Sequence, residues 1–177
     1  MKEKLHIVLT EISGVSTLDV LRLLPELGLA GTMETVGELD SVAGAPDLLI
    51  ADIDELEGAL VYAETGVVML VGSAEACNRY REICVRNGVL YTEPDSFKAV
   101  FPAAAAMCMR MRTQRARESS LQRQLTDTKL VARAKLLLMT RLQMSEIEAH
   151  RFIEKTAMEN REPRRSVALR LIRTYEE

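Results

Sequence analysis

The sequence predicts an α/β protein: a doubly wound parallel sheet, then a long coiled-coil helix and a C-terminal three-helix bundle. In the first half, continuous apolar runs of strand length alternate with helical segments, the pattern of a parallel sheet covered on both faces. Charge then changes sign along the chain. Residues 1–102 hold 7 Lys and Arg against 17 Asp and Glu, whereas residues 103–177 hold 16 against 9. An asymmetry of this size indicates different partners for the two halves.

These observations divide the 177 residues into three predicted segments. Residues 1–102 form the sheet domain, residues 103–129 a coiled-coil connector, and residues 130–177 the helical module. The overall charge of −3 argues against general adhesion to nucleic acid. We therefore expect any nucleic-acid contact to come from the C-terminal part.

In the first segment, strands and helices alternate in chain order. "LHIVLTEI" (5–12), "DLLIAD" (47–52), "GVVMLVG" (66–72) and "VLYTEP" (89–94) predict strands. "TLDVLRLLPELG" (17–28) predicts a helix with Thr17 as N-cap and Gly28 as its stop, and "AEACNRYREICVRNG" (74–88) predicts a second helix. Strand–helix–strand order implies right-handed crossovers in one parallel sheet.

Three pieces of this segment carry a resemblance: "PDLLIAD", "LVGSA" and "YTEP", each at the end of a predicted strand. Together they resemble the receiver domain of response regulators, which has a flavodoxin-like fold. The resemblance places Asp52 at the phosphate-accepting position and Ser73 at the hydroxyl position that contacts the phosphoryl group. Independently, ligands of open α/β sheets bind at the carboxyl ends of the strands.

The sequence also departs from the receiver pattern. Thr10 and Glu11 stand where receivers carry paired acids, and Glu93 replaces the lysine before the final proline. Mg²⁺ requires carboxylate oxygens, which Glu11, Asp52 and Asp54 can supply. Two interpretations stay open. Asp52 is phosphorylated with Mg²⁺ by a sensor histidine kinase of a two-component system, or the domain is a pseudo-receiver that serves dimerisation, partner docking or ligand sensing.

The connector predicts a helix with an incomplete coiled-coil seam. It is rich in strong helix formers and lacks Gly and Pro from Ala103 to Leu130. One heptad seam contains Met107, Met111, Gln114, Glu118, Leu121, Leu125, Thr128 and Ala132. Gln114, Glu118 and Thr128 are poor seam residues, so the coil is short. We expect a parallel homodimer through this seam; the alternative is one helix folded back on the sheet domain.

Local signals in the last segment predict three helices. Leu137 and Leu138 lie on the apolar face of the first helix, which can continue the connector unbroken. The second begins with a capping box of Ser145 and Glu148, and its apolar stripe includes Phe152 and Ile153. The third begins near Pro163. Each helix has one apolar side, so the three predict a compact bundle.

At these separations, "AKLLLM" (134–139), "SEIEAHRFI" (145–153), "AM" (157–158) and "VALRLI" (167–172) resemble the ANTAR domain of transcription antitermination regulators. The resemblance covers about residues 126–174. It implies binding to tandem hairpins in a nascent leader mRNA, which prevents the terminator hairpin from forming. It also makes Ala134 and Lys135 the leading RNA contacts, with Ala134 allowing close approach and Lys135 reaching a phosphate.

The residues themselves add candidates to those two. RNA affinity rests largely on contacts of Lys and Arg with phosphate, and selective readers target loop bases. The candidates are Arg133 and Arg141 on the first helix and Asn160, Arg161, Arg164 and Arg165 around the second turn. For each arginine, a merely solvated helix face is the simpler alternative. The alternative for Lys135 is a solubilising lysine beside the core face, and for Ala134 it is a position in the core.

Other functions have less support in the sequence. P-loop, zinc-protease and α/β-hydrolase motifs are missing, so we expect no enzyme. No apolar run approaches the ~20 residues that span a bilayer, and we expect a cytoplasmic protein with reduced cysteines. A protein-interaction adaptor is the main alternative. A DNA-binding regulator is disfavoured because the turn "ENREPRR" lacks the glycine of a tight helix-turn-helix.

Overall fold

The structure, a computed structural model, describes residues 4–176 and divides the chain into two compact units, Met1–Gln114 and Arg115–Glu177. The elements are β1 (Leu5–Leu9), α1 (Thr17–Glu26), β2 (Gly31–Thr35), β3 (Leu48–Asp52), α2 (Leu56–Ala63), β4 (Val67–Val71), α3 (Ala74–Asn87), β5 (Leu90–Thr92), α4 (Phe97–Leu142), α5 (Glu146–Glu159) and α6 (Arg164–Glu176). Short 3₁₀ turns at Leu39–Ser41, Ile53–Glu55 and Pro94–Ser96 connect some of them.

The first unit is built on a parallel five-stranded sheet with the order β2-β1-β3-β4-β5. This is the flavodoxin-like, doubly wound order, in which the chain reverses direction between β1 and β3. The central strands are buried on both faces, with Val8 paired to Leu49 and Leu49 to Val68. The predicted α/β receiver-like fold is therefore confirmed.

Helices cover the sheet on both faces and enclose two apolar cores. On one face, β-strand residues such as Ile7 and Ile50 pack with Val20 of α1 and Phe101 of α4. The other core contains residues of β1, β3 and β4 together with α2 and α3. Burial of continuous apolar strands on both sides explains why they show no alternation.

Local capping sets the helix ends, with one shift from the prediction. The N-cap of α1 is Ser16 rather than Thr17, because Ser16 and Asp19 form a reciprocal capping box. Gly28 follows the helix with φ 68°, as expected for its stop signal. A Cβ on Gly72 would overlap the side chain of Ile53, so β4 can end here only with a glycine.

Two elements were not predicted, β2 and α2. The sequence of β2, "GTMET", contains no apolar run, because β2 is an edge strand paired with β1 alone and three of its residues are only partly buried. Helix α2 has only eight residues and directly follows the 3₁₀ turn after Asp52. An edge strand of five residues and a helix of eight are too short to leave a strong apolar period.

Helix α4 is a single helix of 46 residues that begins at Phe97, before the predicted start of the connector, and contains Pro102. Its first part belongs to the sheet domain, since Phe97, Phe101 and Cys108 are buried in the core there. Further along, Leu121 and Leu125 of the predicted seam are 63% and 55% exposed. These two seam leucines are therefore exposed to solvent in the single chain. The homodimer stays a prediction.

The second unit has a small apolar core supplied by the end of α4 and by α5 and α6. Its buried residues are Ala134, Leu138, Ala149, Ile153, Ala157, Val167 and Ala168. Ser145 and Glu148 form the predicted capping box, and α6 begins directly after Pro163. This confirms the predicted three-helix bundle. Phe152 was expected in the core and is instead 39% exposed, whereas its neighbour Ile153 is fully buried.

Candidate nucleic-acid interface

Lys135 lies on α4 at the edge of the bundle core, and its amine faces the start of α5. Its Nζ donates to Oε1 of Glu146 at 2.7 Å. Hydrogen bonding to Lys135 and its positive charge lower the pKa of the Glu146 carboxyl. An RNA phosphate at Lys135 would therefore have to replace the Glu146 carboxylate or share the Lys135 amine with it.

The side chain of Lys135 lines a depression of about 450 Å³ between α4, α5 and the start of α6, called here the Lys135 depression. Its lining consists of Asp127, Thr128, Val131, Ala132, Lys135, His150, Pro163, Arg164 and Arg165. Three predicted RNA contacts, Lys135, Arg164 and Arg165, thus come together from two helices. The excess of basic over acidic groups makes the depression suited to a phosphate.

Ion pairs hold both arginines of α6 in place at this depression. Arg164 Nη2 lies 2.9 Å from Glu154 Oε1, and Arg165 Nη1 donates to Asp127 Oδ1 at 2.8 Å. A guanidinium carries five N–H donors, so one ion pair orients the group without using its full capacity. The arrangement positions both arginines and leaves them donors for a further anion.

The second turn of the bundle holds Asn160 and Arg161 in a Schellman motif. Arg161 N–H donates to Met158 O at 3.2 Å, and Glu162 N–H donates to Ala157 O at 3.0 Å. Arg161 has φ 53°, a left-handed conformation that glycine usually occupies. The absence of glycine therefore does not prevent a tight turn here and does not by itself disfavour a DNA-binding regulator.

Carboxylates also surround this turn. Glu162 accepts hydrogen bonds from Asn160 Nδ2 and from the Arg170 guanidinium. Arg170 is the larger cause of the lowered pKa of Glu162. Neither Asn160 nor Arg161 lines the Lys135 depression. These two candidates lie at the turn between α5 and α6, outside the Lys135 depression. Their role as RNA contacts stays a prediction.

The remaining candidates on α4 lie away from the depression. The side chain of Ala134 is fully buried in the bundle core, so it cannot contact RNA without opening the bundle. Its small size instead allows α4 to pack closely against its neighbours. Arg133 and Arg141 are exposed, but neither lines the Lys135 depression.

His150 was missed as a candidate because it has no ligand-type partner nearby in the sequence. It lines the Lys135 depression, and its Nε2 lies 3.4 Å from Glu154 Oε1, the same oxygen that Arg164 contacts. Asp127 was missed for a similar reason, since its partner Arg165 lies 38 positions away. Only the packing of the bundle brings these groups together.

A second surface of the bundle is apolar. Phe152, Met158 at 79% exposure and Leu142 at 42% exposure line a groove of about 870 Å³ along α5. Three glutamates and two basic residues complete its sides: Glu148, Glu154, Glu159, Arg151 and Lys155. This acidic balance is less suited to phosphate than that of the Lys135 depression.

The predicted receiver residues gather at the carboxyl edge of the sheet. Asp52 ends β3, and its Oδ1 accepts the N–H of Asp54 at 2.9 Å as the cap of the 3₁₀ turn. Ser73 caps α3, where its Oγ accepts the Ala76 N–H. Glu11 is exposed in the loop after β1. The elements thus place these groups on the same side of the sheet, in positions where each already has a capping role or faces solvent.

Two further side chains, those of Thr10 and Glu55, meet at this edge. Thr10 is buried and donates to Glu55 Oε2 at 2.8 Å. This bond couples the end of β1 to the turn after β3.

Within residues 4–176, no three acidic, histidine or cysteine side chains are arranged to hold a metal ion. Because Mg²⁺ can bind through only one or two carboxylates together with water, the Mg²⁺ site at Glu11 and Asp52 stays a prediction.

Fold and site together define a class: a receiver-like α/β domain followed by a helical module with a basic depression. Residues 119–172 match the ANTAR domain. The helical module is therefore an ANTAR domain, an RNA-binding antitermination module, and the predicted resemblance is confirmed. The match supports an ANTAR-domain antitermination regulator.

Other comparisons add little. A comparison with curated proteins gives no match. A solved structure described as the yeast Spc42 trimeric coiled coil, amino acids 181–211, fused to another structure, is 15% identical, with 70% of this chain and 93% of that chain covered and a TM-score of 0.43. A likeness at that level carries no conclusion about fold or assembly. Among the residues that the structure describes, no helix is both long and apolar enough to cross a bilayer.

Proposed function

We propose that this protein is a cytoplasmic transcription antiterminator that binds hairpins in a nascent leader mRNA. It acts by binding and not by catalysis, because holding the RNA in one fold is enough to keep the terminator hairpin from forming. The supporting observation is the meeting of Lys135, Arg164 and Arg165 at one depression within the region that matches the ANTAR domain.

Binding is proposed to proceed by exchange of the Glu146 carboxylate at Lys135 for phosphate, while Arg164 and Arg165 bind phosphate with the donors that their ion pairs leave unused. Lys135, Arg164 and Arg165 each face a carboxylate in the unbound protein. These partners keep the basic groups oriented and weaken their attraction for phosphate in general. An RNA with phosphates at the right spacing contacts all three basic groups at once, which favours a shaped hairpin over an arbitrary polyanion.

Homodimer formation through the α4 seam is part of the proposal. Two exposed leucines, Leu121 and Leu125, support it, because side chains of this kind on a solvated helix face gain from pairing. Thr128 and Ala132 belong to the same seam and also line the Lys135 depression. We therefore expect the paired stretch to end before Thr128, so that two depressions stay open for two hairpins.

Regulation is proposed to occur through a pseudo-receiver domain. Glu93 replaces the receiver lysine, and a carboxylate at this edge repels an added phosphoryl group. Asp52 already accepts a backbone hydrogen bond, and Glu55 adds another carboxylate nearby. The alternative, phosphorylation of Asp52 by a sensor histidine kinase, predicts added mass after incubation with a small phosphodonor and Mg²⁺. Unchanged mass with unchanged dimerisation would support the pseudo-receiver.

A gel shift tests the RNA proposal directly. The full chain is titrated with a two-hairpin leader RNA, a single hairpin and duplex DNA over a salt series. We expect the two-hairpin RNA to bind most tightly, with affinity that falls as salt rises. Equal weak binding to all three nucleic acids would overturn the antiterminator proposal.

A matched pair of variants locates the contact. Lys135→Gln removes one phosphate contact and is expected to weaken binding by about 5- to 8-fold at 0.1 M salt, from a slope of about 0.7–0.9 per contact. Lys129→Gln removes the same charge from the same helix at an exposed position outside the depression. Equal effects of the two variants would refute a specific role for Lys135.

The apolar groove favours a second candidate function, an adaptor that docks a protein partner. Phe152 and Met158 expose apolar surface that contributes no stability to a monomer. Phe152→Ala with Met158→Ala is expected to leave RNA affinity unchanged if the antiterminator proposal is right. If the wild-type chain shows no preference for hairpin RNA, the adaptor becomes the leading function.

A further inference from the structure

A second basic depression lies on α4 beside the first. It is called here the Arg123 depression and has a volume of about 430 Å³. Its lining consists of Arg115, Glu118, Ser119, Gln122, Arg123, Thr126 and Arg165. Six of these residues belong to α4, in the part that the sequence predicted only as a coiled-coil connector. Arg165 of α6 completes the wall.

Its charge is that of an anion site. Three arginines and one carboxylate line the Arg123 depression, whereas five carboxylates line the depression of similar size in the first unit. Ser119 and Gln122 add neutral hydrogen-bonding groups between the arginines. Arginine forks with hydroxyl and amide neighbours are the groups that bind phosphate oxygens in nucleic-acid interfaces.

Two of the three arginines, Arg123 and Arg165, are held in place by hydrogen bonds that leave donors unused. Arg123 Nη2 donates to Ser119 Oγ at 3.2 Å, one helical turn back. Arg165 Nη1 donates to Asp127 Oδ1 at 2.8 Å. Because each guanidinium has five N–H groups, both can donate to a phosphate without leaving these partners. This lowers the ordering cost of binding, since the side chains are already fixed.

Arg165 links this depression to the Lys135 depression, since it lines both. At about 100° per residue, Arg123 and Thr126 lie on one flank of Asp127, and Val131 and Lys135 lie on the other. The Asp127–Arg165 ion pair therefore lies between the two basic depressions. A polyanion that passes over this ion pair meets basic groups on both sides.

The same helical geometry separates Arg123 from the leucines of the dimer seam, although Glu118 belongs to the seam and also lines the Arg123 depression. Leu121 and Leu125 each lie two residues from Arg123, which places them about 160° around the helix from it. Pairing of two α4 helices through these leucines would therefore leave the arginine flank exposed. Binding at this flank and dimerisation through the seam are compatible.

We propose that the Arg123 depression is a second phosphate-binding site, which extends the RNA surface from the bundle onto the connector helix. Its ligand is the phosphodiester backbone next to the RNA segment held at the Lys135 depression. Arg115 and Arg123 supply the new contacts, and Arg165 is shared by both sites. The inference rests on the proposed RNA-binding function and deepens it.

The test compares two double variants of the full chain. Arg115→Gln with Arg123→Gln removes both positive charges that α4 contributes to the depression. Arg110→Gln with Arg117→Gln removes the same charge from the opposite flank of the same helix, at exposed positions outside the depression. All four arginines are exposed, so neither change opens a core. Circular dichroism and light scattering check helix content and oligomeric state.

The dissociation constant for the two-hairpin RNA is measured over a salt series. Loss of two phosphate contacts is expected to lower the slope of log affinity against log salt by about 1.4–1.8 in the Arg115/Arg123 variant. At 0.1 M salt this corresponds to about 25- to 60-fold weaker binding. The Arg110/Arg117 variant is expected to lose less than half of that slope. Arg115→Lys with Arg123→Lys should recover part of the affinity, because charge returns without the planar fork.

The outcomes separate the inference from the function it rests on. Equal losses in the two double variants would reduce the effect to the general field of the helix and overturn the inference. Unchanged affinity in both would overturn it as well. In either case wild-type binding to the hairpin RNA leaves the proposed function standing. If the wild-type chain does not bind the RNA, the proposed function itself fails.

Discussion

Substitution of the adjacent residues Phe152 and Ile153 tests which face of α5 is buried in the bundle. Ile153 is fully buried in the core of the second unit, whereas Phe152 is 39% exposed at the apolar groove. Apolar spacing alone places both in the core, and the larger Phe152 would then be the more costly loss. The structure predicts the reverse order.

The magnitudes follow from burial. Ile153→Ala removes a buried side chain and leaves a closed cavity, which costs about 2–5 kcal/mol. Full burial of a phenylalanine contributes about 1.5–3 kcal/mol, and Phe152 keeps about six-tenths of that burial, so Phe152→Ala should cost about 1–2 kcal/mol. Water can enter the open groove after Phe152→Ala, which keeps the cavity contribution small.

Hydrogen exchange of the full chain, read on backbone amides of α5, measures both changes in the unit concerned. This readout is preferred over one global melting curve because two units can unfold separately. We expect protection of α5 to fall much further in the Ile153 variant. A Phe152→Ala variant that loses as much protection as Ile153→Ala would refute the reasoning that the groove is open to solvent.

Three further predictions follow from backbone and titration. Arg161→Gly should raise the free energy of unfolding by up to about 1 kcal/mol in chemical denaturation, because glycine relieves the left-handed conformation. A hydrogen bond from Ser145 lowers the pKa of Glu148, and one from Arg170 lowers the pKa of Glu162. The stability of the helical unit should therefore be full above pH 4.5 and decline below it in a circular-dichroism titration. Burial, more than the nearby Asp47 charge, raises the pKa of Cys108 to about 12, so a thiol reagent at pH 8 should modify it only after unfolding.

Each of these has a contrary outcome. An Arg161→Gly variant that unfolds more easily would show that the arginine side chain stabilises the turn more than its backbone strains it. Stability that rises on acidification below pH 4.5 would contradict the direction of the two glutamate shifts. Labelling of Cys108 in the folded chain at a rate like that of the unfolded chain would contradict its burial.

The sequence predicted the fold class through signals that extend over few residues. The Ser145–Glu148 capping box, the stop at Gly28 and the continuous strands around Ile50 were each readable locally and are present in the structure. Short elements with weak patterns, β2 and α2, were missed. The N-cap of α1 was wrong by one residue because Ser16 and Thr17 are both good caps, and the position of Asp19 decides between them.

The candidate site was only partly predictable. Lys135, Arg164 and Arg165 were chosen for charge and for family resemblance, and the structure brings them to one depression. Ala134 was also chosen, but its side chain is in the core. The Arg123 depression was not predicted, because a helix with a heptad pattern was interpreted only as a dimer seam.

By itself, the sequence determined the order of the strongly patterned elements, the acidic first half and basic second half, and the match to an ANTAR domain. These follow from composition, capping and helical period, which depend on neighbours a few positions away. Only the tertiary structure decided which apolar face is covered and which basic group meets which carboxylate. Ile153 is buried and Phe152 exposed, and Arg165 reaches Asp127 across 38 positions, because helix rotation and packing set these contacts.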